Sequence, residues 1–234
     1  MKIRRDANHN KQILSAMIVL TAIAVTALWT PGPMPVYADG TTGVGDPHQS
    51  LLAPGVPLYS QLDNAGFEFT SCGPTALAMA LNYQAEGPTP QAVVDYARTH
   101  MGKNGRPLYQ PQDPIRVYTS PVGLYQVARH YSYPLMGWVS DEARAQGKLR
   151  ELLAGGLPVI VDVTVAARKG SSRAAHFVLV TGIDADNTVH VNDPYGRGAG
   201  AQRLAIPWED FYWAWQNNSD GSVYGHGWWM VVRF

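Results

Sequence analysis

The chain has very little cysteine and no excess of charge of either sign, and both features exclude classes of protein. Its 234 residues include a single cysteine, Cys72, so no disulfide can form within the chain and a thiolate-rich zinc site is excluded. The 18 Lys and Arg residues balance the 18 Asp and Glu residues, and no basic patch stands out, so nucleic acid is not an expected partner. The seven histidines contain no H-E-x-x-H pattern, and we expect no metal or other cofactor.

The first 38 residues are typical of an export signal or a membrane anchor. A basic leader precedes an uncharged, mostly apolar run at residues 13–29, and Ala38 ends a small-x-small triplet that suits signal peptidase. The apolar run is at the short edge of what spans a bilayer, so an uncleaved anchor is the alternative. In both cases the leader predicts a secreted or extracytoplasmic cell-surface protein, attached to a membrane only if residues 13–29 are retained.

Beyond this leader the sequence predicts a linker and one domain. Residues 39–55 are rich in Gly, Pro, Asp and Ser, which indicates a linker, and residues 56–234 are long enough for a domain with a sizeable core. Helical patterns come first and apolar runs of period two come second, an order that predicts an α+β fold. We expect a monomer in which a helical half faces a half of antiparallel strands across a cleft.

The limits of the predicted elements follow from helix caps, breakers and the change of period. Helices are predicted to start at or near residues 72, 89, 120 and 140, and a short aromatic helix is predicted at 207–216. Strands are predicted at 56–60, 158–163, 175–182, 188–193 and 227–234, with a hairpin turn at 184–187. The stretch from 102 to 119 has no period and is predicted to be a long loop, a kind of segment that is often functional.

Cys72 is the candidate nucleophile of the chain. It lies directly ahead of a strong helix pattern, and Ser71 before it is the expected helix N-cap. A thiol at a helix start feels the positive end of the helix dipole, which favours the thiolate, the nucleophilic form. The alternative is a buried structural cysteine, which is the commoner fate of a lone cysteine. In an exported chain, however, an unpaired thiol is either bonded to another molecule or kept for its reactivity.

Three further residues supply the help that a cysteine nucleophile needs. His176 begins a strongly apolar strand and is the candidate base, which takes a proton and later returns it to the leaving group. Asp193 follows the next predicted strand, so a hairpin brings it back beside His176, where its carboxylate can orient the imidazole. Gln61 is the candidate oxyanion donor, together with the backbone N–H of Cys72. Taken singly, each has an ordinary alternative: a satisfied histidine at a strand end, a turn residue and a surface glutamine.

Four stretches of sequence carry a resemblance to a known family. They are VPLYSQ at 56–61, TSCGPTALAM at 70–79, HFVLVTGID at 176–184 and VNDPYG at 191–196. Together they resemble the C39-like cysteine peptidase family, in which an apolar-Pro-x-x-Ser-Gln segment precedes Cys-Gly-Pro at a helix start. The resemblance implies a papain-like fold, with a helical N-terminal lobe that carries the nucleophile and an antiparallel sheet lobe that carries the other catalytic groups.

The resemblance also implies a role for each candidate residue. The catalytic cysteine of the family falls on Cys72, its oxyanion glutamine on Gln61, its histidine on His176 and its aspartate on Asp193. We therefore expect an exported cysteine peptidase that acts on a peptide or protein substrate. An amidase or transpeptidase that acts on cell-wall peptides with the same residues is one alternative. A surface binding module that keeps the fold without activity is another.

Three other acidic or basic positions have weaker interpretations. Asp162 lies inside an apolar strand, either buried near the base or facing solvent at an edge. The acidic residues around 184–187 lack the glycine and the distal glutamate of an EF-hand loop, so a plain hairpin is favoured over a calcium site. His190 alternates with valines and is expected to point away from the apolar face of its strand.

Overall fold

The structure is a computed structural model that describes residues 49–103, 105, 108–112, 116–165, 174–217 and 226–234. The predicted leader and anchor at residues 1–38 lie outside these ranges. The described residues all belong to one compact unit of the chain. None of the helices in this part of the chain is long and apolar enough to cross a bilayer.

The helices begin where the caps and breakers predict. Within the described residues they are α1 (Cys72–Gln84), α2 (Pro90–Thr99), α3 (Pro121–Tyr131), α4 (Glu142–Ala154), α5 (Ala199–Gln202) and α6 (Trp208–Gln216). The side chains of Thr89, Ser120 and Asp141 cap α2, α3 and α4, each by accepting from a backbone N–H in the first turn. These three caps and the start of α1 at Cys72 confirm the sequence predictions for the first four helices.

Most of the strands form one antiparallel sheet. In chain order they are β1 (Leu51–Leu52), β2 (Gln110–Gln112), β3 (Arg116–Tyr118), β4 (Leu135–Trp138), β5 (Val159–Val165), β6 (Ala174–Ile183), β7 (Thr188–Asn192), β8 (Arg203–Pro207) and β9 (Trp228–Val231). Six of them follow the order β4-β9-β5-β6-β7-β8, β1 pairs with the end of β6, and β2 and β3 pair separately. The fold is therefore α+β, as the order of patterns predicts.

Several predicted elements differ from the observed ones. The predicted strand at 56–60 is wrong, because this segment bonds to side chains and turns instead of a neighbouring strand. For example, the side-chain amide of Asn192 donates to the carbonyl of Pro57. The predicted linker at 39–55 ends earlier than expected, since β1 already belongs to the sheet. The short elements β2, β3, β4, β8 and α5 were not predicted. The strand β8 is only half-buried and ends in Pro207, so it gives a weak strand pattern.

The main sheet separates two apolar cores. Along β5, Ile160 belongs to the core that contains α1, whereas its neighbour Val161 belongs to the core that contains α4 and α6. The helix α1 is buried along its whole first part, from Cys72 to Leu81, and it packs directly against β6. This packing brings the start of the central helix against the strand that carries His176.

Candidate active site

Cys72 is the first residue of α1, and its side chain is buried. Ser71 occupies the N-cap position, but its hydroxyl makes no capping hydrogen bond, so that part of the prediction is wrong. Instead the Ser71 hydroxyl donates to the carbonyl of Phe67 at 2.8 Å and accepts from the side-chain amide of Asn64 at 2.8 Å. The chain before the nucleophile is therefore held by buried hydrogen bonds of its own.

Asn64 is a buried residue beside Cys72 whose contacts sequence reasoning missed. Its side-chain amide is buried and donates to two hydroxyls, those of Ser71 at 2.8 Å and Thr75 at 2.9 Å. These hydroxyls flank Cys72, one before it and one after it along the first turn of α1. No local signal could identify this role, because an asparagine in a polar loop is typical of a turn.

The first turn of α1 leaves few backbone donors free. Pro74 has no N–H, and the N–H of Thr75 already donates to the carbonyl of Ser71 at 2.9 Å. The Gly73 N–H contributes to the lowered pKa of the Cys72 thiol. Within the described residues the backbone N–H of Cys72 has no assigned acceptor, so it is the donor left for an oxygen next to the thiol.

His176 lies near the start of β6, and its imidazole interacts with the Cys72 side chain. Burial by itself raises the pKa of the Cys72 thiol. The hydrogen bond and the positive charge of His176 outweigh this effect, with help from the N–H groups of Phe177 and Gly73, so the thiol pKa falls below its ordinary value. The arrangement therefore favours a thiolate next to an imidazolium.

Asp193 is the partner of His176 on the other side of the imidazole. The Nε2 atom of His176 lies 2.6 Å from the Oδ1 atom of Asp193, which leaves Nδ1 for the cysteine. Burial alone lowers the pKa of His176, but the bonds to Asp193 and Cys72 raise the pKa to about 10. The same Oδ1 atom accepts from the backbone N–H of Tyr195 at 2.7 Å, which fixes the carboxylate in its turn.

Gln61 is buried near these groups, but it does not bond to them directly through its side chain. It begins a short 3-10 turn (Gln61–Asp63) whose N-cap is Ser60. Its side-chain amide donates one hydrogen to the carbonyl of Glu68 at 2.8 Å, and its backbone N–H donates to Pro194 at 2.9 Å. A carboxamide carries two N–H groups, so one remains available. Among the described residues, no hydrogen bond joins this side chain to Cys72, His176 or Asp193.

A glycine and an aromatic ring fix the spacing between α1 and β6. A Cβ atom on Gly73 would lie 3.1 Å from a ring carbon of Phe177, which is closer than nearly all real Cβ contacts. Phe177 is the neighbour of His176, and its N–H also contributes to the lowered pKa of the Cys72 thiol. The absence of a side chain at Gly73 therefore lets the strand approach the start of the helix closely enough for the imidazole to reach the thiol.

The segment that was predicted as a long loop also contributes a residue near the thiol. Tyr109 is buried, packs edge-on against Phe67, and forms a hydrogen bond with the hydroxyl of Thr70. Burial raises the pKa of Tyr109 to about 12, and the negative charge of Cys72 contributes to the shift. The Tyr109 hydroxyl therefore stays protonated and uncharged beside Thr70, which lies two residues before Cys72.

The weaker candidates occupy structural positions. Asp162 is fully buried on the same face of β5 as Ile160, so the solvent-facing alternative is wrong. The 184–187 segment is a hairpin turn in which Asn187 has a φ of 68°. His190 lies 2.6 Å from the carboxylate of Asp184, beside that hairpin. In the part of the chain that the structure describes, no group of three or more His, Cys, Asp or Glu side chains is arranged to hold a metal ion.

Comparison with known proteins identifies the family to which the chain belongs. The sequence model of the Peptidase_C39 like family matches residues 54–223, which include all four candidate residues. The crystal structure of a Bacillus anthracis protein described as a candidate C39-like peptidase is similar, with a TM-score of 0.57 and 18% identity over 80% of this chain and 98% of that one. At this identity the similarity shows the fold alone. No curated protein matches the chain. The chain belongs to the Peptidase_C39 like family.

Proposed function

We propose that this protein is an exported cysteine peptidase in which Cys72 is the nucleophile, His176 the general base and acid, and Asp193 the group that orients the imidazole. The observation that carries the proposal is the 2.6 Å hydrogen bond between His176 Nε2 and Asp193, together with the interaction of the same imidazole with the Cys72 thiol that lowers the thiol pKa. Membership of a peptidase-like family supports the reaction class. A buried structural cysteine needs no such partners.

In the first step the Cys72 thiolate attacks the carbonyl carbon of the scissile bond, and a carbon–sulfur bond forms. Asp193 bonds to Nε2, so the proton that moves lies on Nδ1 of His176, which faces the sulfur. His176 donates that proton to the leaving amine as the carbon–nitrogen bond breaks. The product of this step is a thioester on Cys72 and a free amine.

The negative charge that develops on the carbonyl oxygen needs donors that are already in place. The backbone N–H of Cys72 and the second amide hydrogen of Gln61 are the two proposed donors. The bond from Gln61 to the carbonyl of Glu68 holds the carboxamide, so the remaining hydrogen has a fixed direction. We propose that an acyl oxygen lies between these two groups.

In the second step a water molecule completes the reaction. His176, now neutral, takes a proton from the water at Nδ1 while the water oxygen attacks the thioester carbon. The carbon–sulfur bond breaks, the acid product leaves, and the thiolate is restored next to the imidazolium. An amine that replaces this water would give a transpeptidase in place of a peptidase, and the thioester is common to both.

The arrangement of lobes and the location of the protein are part of the proposal. We propose that the substrate cleft lies between the α1–α3 side and the main sheet, as in a papain-like fold, because the nucleophile lies on a helix and its base on a strand. Export is supported by the basic and apolar N-terminal sequence. The balanced charge of the chain supports peptide or protein substrates over nucleic acid.

The proposal is tested with the full chain and a peptide library, with products identified by mass spectrometry. Hydrolysis is expected from the native protein and is expected to be absent from Cys72→Ala and His176→Ala, both of which should keep the native circular dichroism spectrum. A parallel reaction with an added amine separates hydrolysis from transfer. Full turnover by folded Cys72→Ala would refute the proposed mechanism.

A further inference from the structure

Gln202 makes an unusual set of hydrogen bonds next to the candidate site. It is the last residue of α5 and its side chain is buried, with 2% of its surface exposed. Its side-chain Nε2 donates to the carbonyl of Tyr59 at 2.7 Å and lies 3.3 Å from the carbonyl of Asp193. Its own backbone carbonyl accepts from the N–H of Asp193 at 2.7 Å. One residue thus bonds the main chain of Asp193 on both sides.

The two partners of this amide belong to the two segments on which the site depends. Tyr59 lies two residues before Gln61, and Asp193 carries the carboxylate that bonds to His176. A further bond, from the N–H of Gln61 to the carbonyl of Pro194, joins the same two segments. The proposed oxyanion segment and the proposed orienting carboxylate are therefore parts of one hydrogen-bonded unit.

Other contacts between these segments include a bond from the Ser60 hydroxyl to the carbonyl of Gly196 and an exposed ion pair. The ion pair of Arg197 with Asp63 has an N–O distance of 3.2 Å, and both side chains are more than 65% exposed, at 68% and 67%. Exposed ion pairs of this kind hold their partners loosely because water and salt screen them. The Gln202 amide is shielded from water, so its two bonds resist exchange with solvent.

We propose that Gln202 is a positioning residue, which holds the Asp193 turn and the Gln61 segment in register so that the carboxylate meets the imidazole of His176. The proposal rests on the proposed function, because it assigns Gln202 a role in the geometry of that same site. Gln202 does not touch the reacting atoms; it acts through Asp193. A carboxamide suits this role because it supplies two N–H donors from one nitrogen to two carbonyl oxygens.

The consequence of losing the amide follows from the contacts of Asp193. Without its side-chain donor, the turn at Asp193 keeps the backbone bond to residue 202 and the bonds of Pro194 and Gly196 to the Gln61 segment. The Asp193 carbonyl loses the Gln202 amide, and the carboxylate gains freedom to move away from His176. A weaker bond to the carboxylate makes the imidazolium less favourable, and the thiolate of Cys72 loses part of its partner's charge. The reactivity of the thiol should therefore shift to higher pH.

The test is the rate of Cys72 alkylation by iodoacetamide as a function of pH, measured on the full chain. Since Cys72 is the single cysteine, the rate reports this site alone. The variant is Gln202→Met, which keeps the size of the side chain and removes both donors. The matched control is Gln216→Met, because the Gln216 amide also donates to a main-chain carbonyl, that of Val139 at 2.9 Å, but in a different part of the fold.

The expected result is an upward shift of the alkylation midpoint by at least about half a pH unit in Gln202→Met, which is about a threefold loss of rate below the midpoint. The control is expected to lose a similar amount of thermal stability with no shift. If Gln202→Met does not fold, Gln202→Asn, which withdraws the amide by one methylene, is measured by the same criterion.

Three other outcomes are distinguishable. A Gln202 variant whose midpoint coincides with that of the native protein, within about 0.2 pH unit, would overturn the positioning role and leave the proposed mechanism intact. A native protein whose thiol reacts only with an ordinary midpoint of about 8.5 would overturn the mechanism itself, and the positioning role with it. An equal shift in the Gln216→Met control would also overturn the inference, because the effect would then report general loosening of the fold.

Discussion

The bond between His176 and Asp193 gives the most detailed prediction, through a comparison of Asp193→Asn with Asp193→Ala. The Oδ1 atom of Asp193 accepts from His176 Nε2 at 2.6 Å and from the N–H of Tyr195 at 2.7 Å. In Asp193→Asn the Tyr195 N–H still needs an acceptor, so the amide oxygen should stay at this position. The asparagine then orients the imidazole as before and lacks only the charge. The alanine variant lacks both.

The sizes of the two effects follow from the kinds of hydrogen bond involved. A hydrogen bond to a charged group contributes about 1.5–3 kcal/mol and a neutral one about 0.5–1.5 kcal/mol, so loss of the charge should cost about 1 kcal/mol. This lowers the pKa of His176 by a little under one unit and reduces kcat/KM by about fivefold to tenfold at neutral pH. Asp193→Ala also leaves a buried imidazole nitrogen unpaired, and we expect a loss of about 10²-fold or more.

The assay for this prediction is kcat/KM on the best peptide substrate, together with the titration of the His176 imidazole by NMR in Cys72→Ala backgrounds of each variant. The cysteine is removed there so that the shift reports residue 193 alone. Equal activity in the alanine and asparagine variants would refute the idea that orientation and charge contribute separately. Activity of Asp193→Ala within twofold of the native protein would refute the role of the carboxylate altogether.

Four further predictions concern the dependence on pH and the packing around the thiol. Activity should rise with pH as Cys72 ionises, at a pH below the ordinary thiol pKa of about 8.5, and it should fall as His176 loses its proton near a pKa of about 10. A plot of kcat/KM against pH should therefore be bell-shaped. If the imidazolium is not required, the fall at high pH should be absent. The raised pKa of His176 also stabilises the folded state. This stabilisation is complete below pH 6.5 and is lost progressively as the pH rises through about 10. Urea titrations at several pH values, on the native protein and on His176→Ala, measure it as a difference in the free energy of unfolding. Gly73→Ala places a methyl group 3.1 Å from Phe177, and we expect about 1–3 kcal/mol lower stability together with slower alkylation of Cys72. Unchanged alkylation would show that this contact does not set the spacing between α1 and β6. Asn64→Leu removes the donor to the two hydroxyls that flank the nucleophile, and we expect about 1–3 kcal/mol lower stability by thermal unfolding; a change under about 0.3 kcal/mol would argue against the network.

The sequence predicts the positions of the candidate site residues in the fold better than the groups that support them. Cys72 at a helix start and His176 at a strand start can be read from local patterns, because capping residues and apolar alternation are local properties. The hairpin between β6 and β7 then places Asp193 beside His176 by simple geometry. The α+β class follows from the same two periodicities.

The supporting groups could not be read in this way, because their partners are distant in sequence. Asn64 bonds to residues 7 and 11 positions away, and Gln202 bonds to a carbonyl 143 positions away. In the sequence each is an ordinary polar residue in a loop or a short helix. The segment at 56–60 is predicted as a strand because its pattern is apolar. That pattern gives no information about the distant residues to which the segment bonds, such as Asn192.

The strongest single test of the account is the thiolate absorbance near 240 nm, recorded against pH for the folded native chain with Cys72→Ala as the reference. The chain has one cysteine, so the difference spectrum belongs to Cys72 alone. The absorbance is expected to develop at a pH below the ordinary thiol midpoint of about 8.5 in the native chain, and at a higher pH in His176→Ala than in the native chain. A difference that develops only above about pH 8.5, and equally in both proteins, would contradict the ion pair on which the proposed function depends.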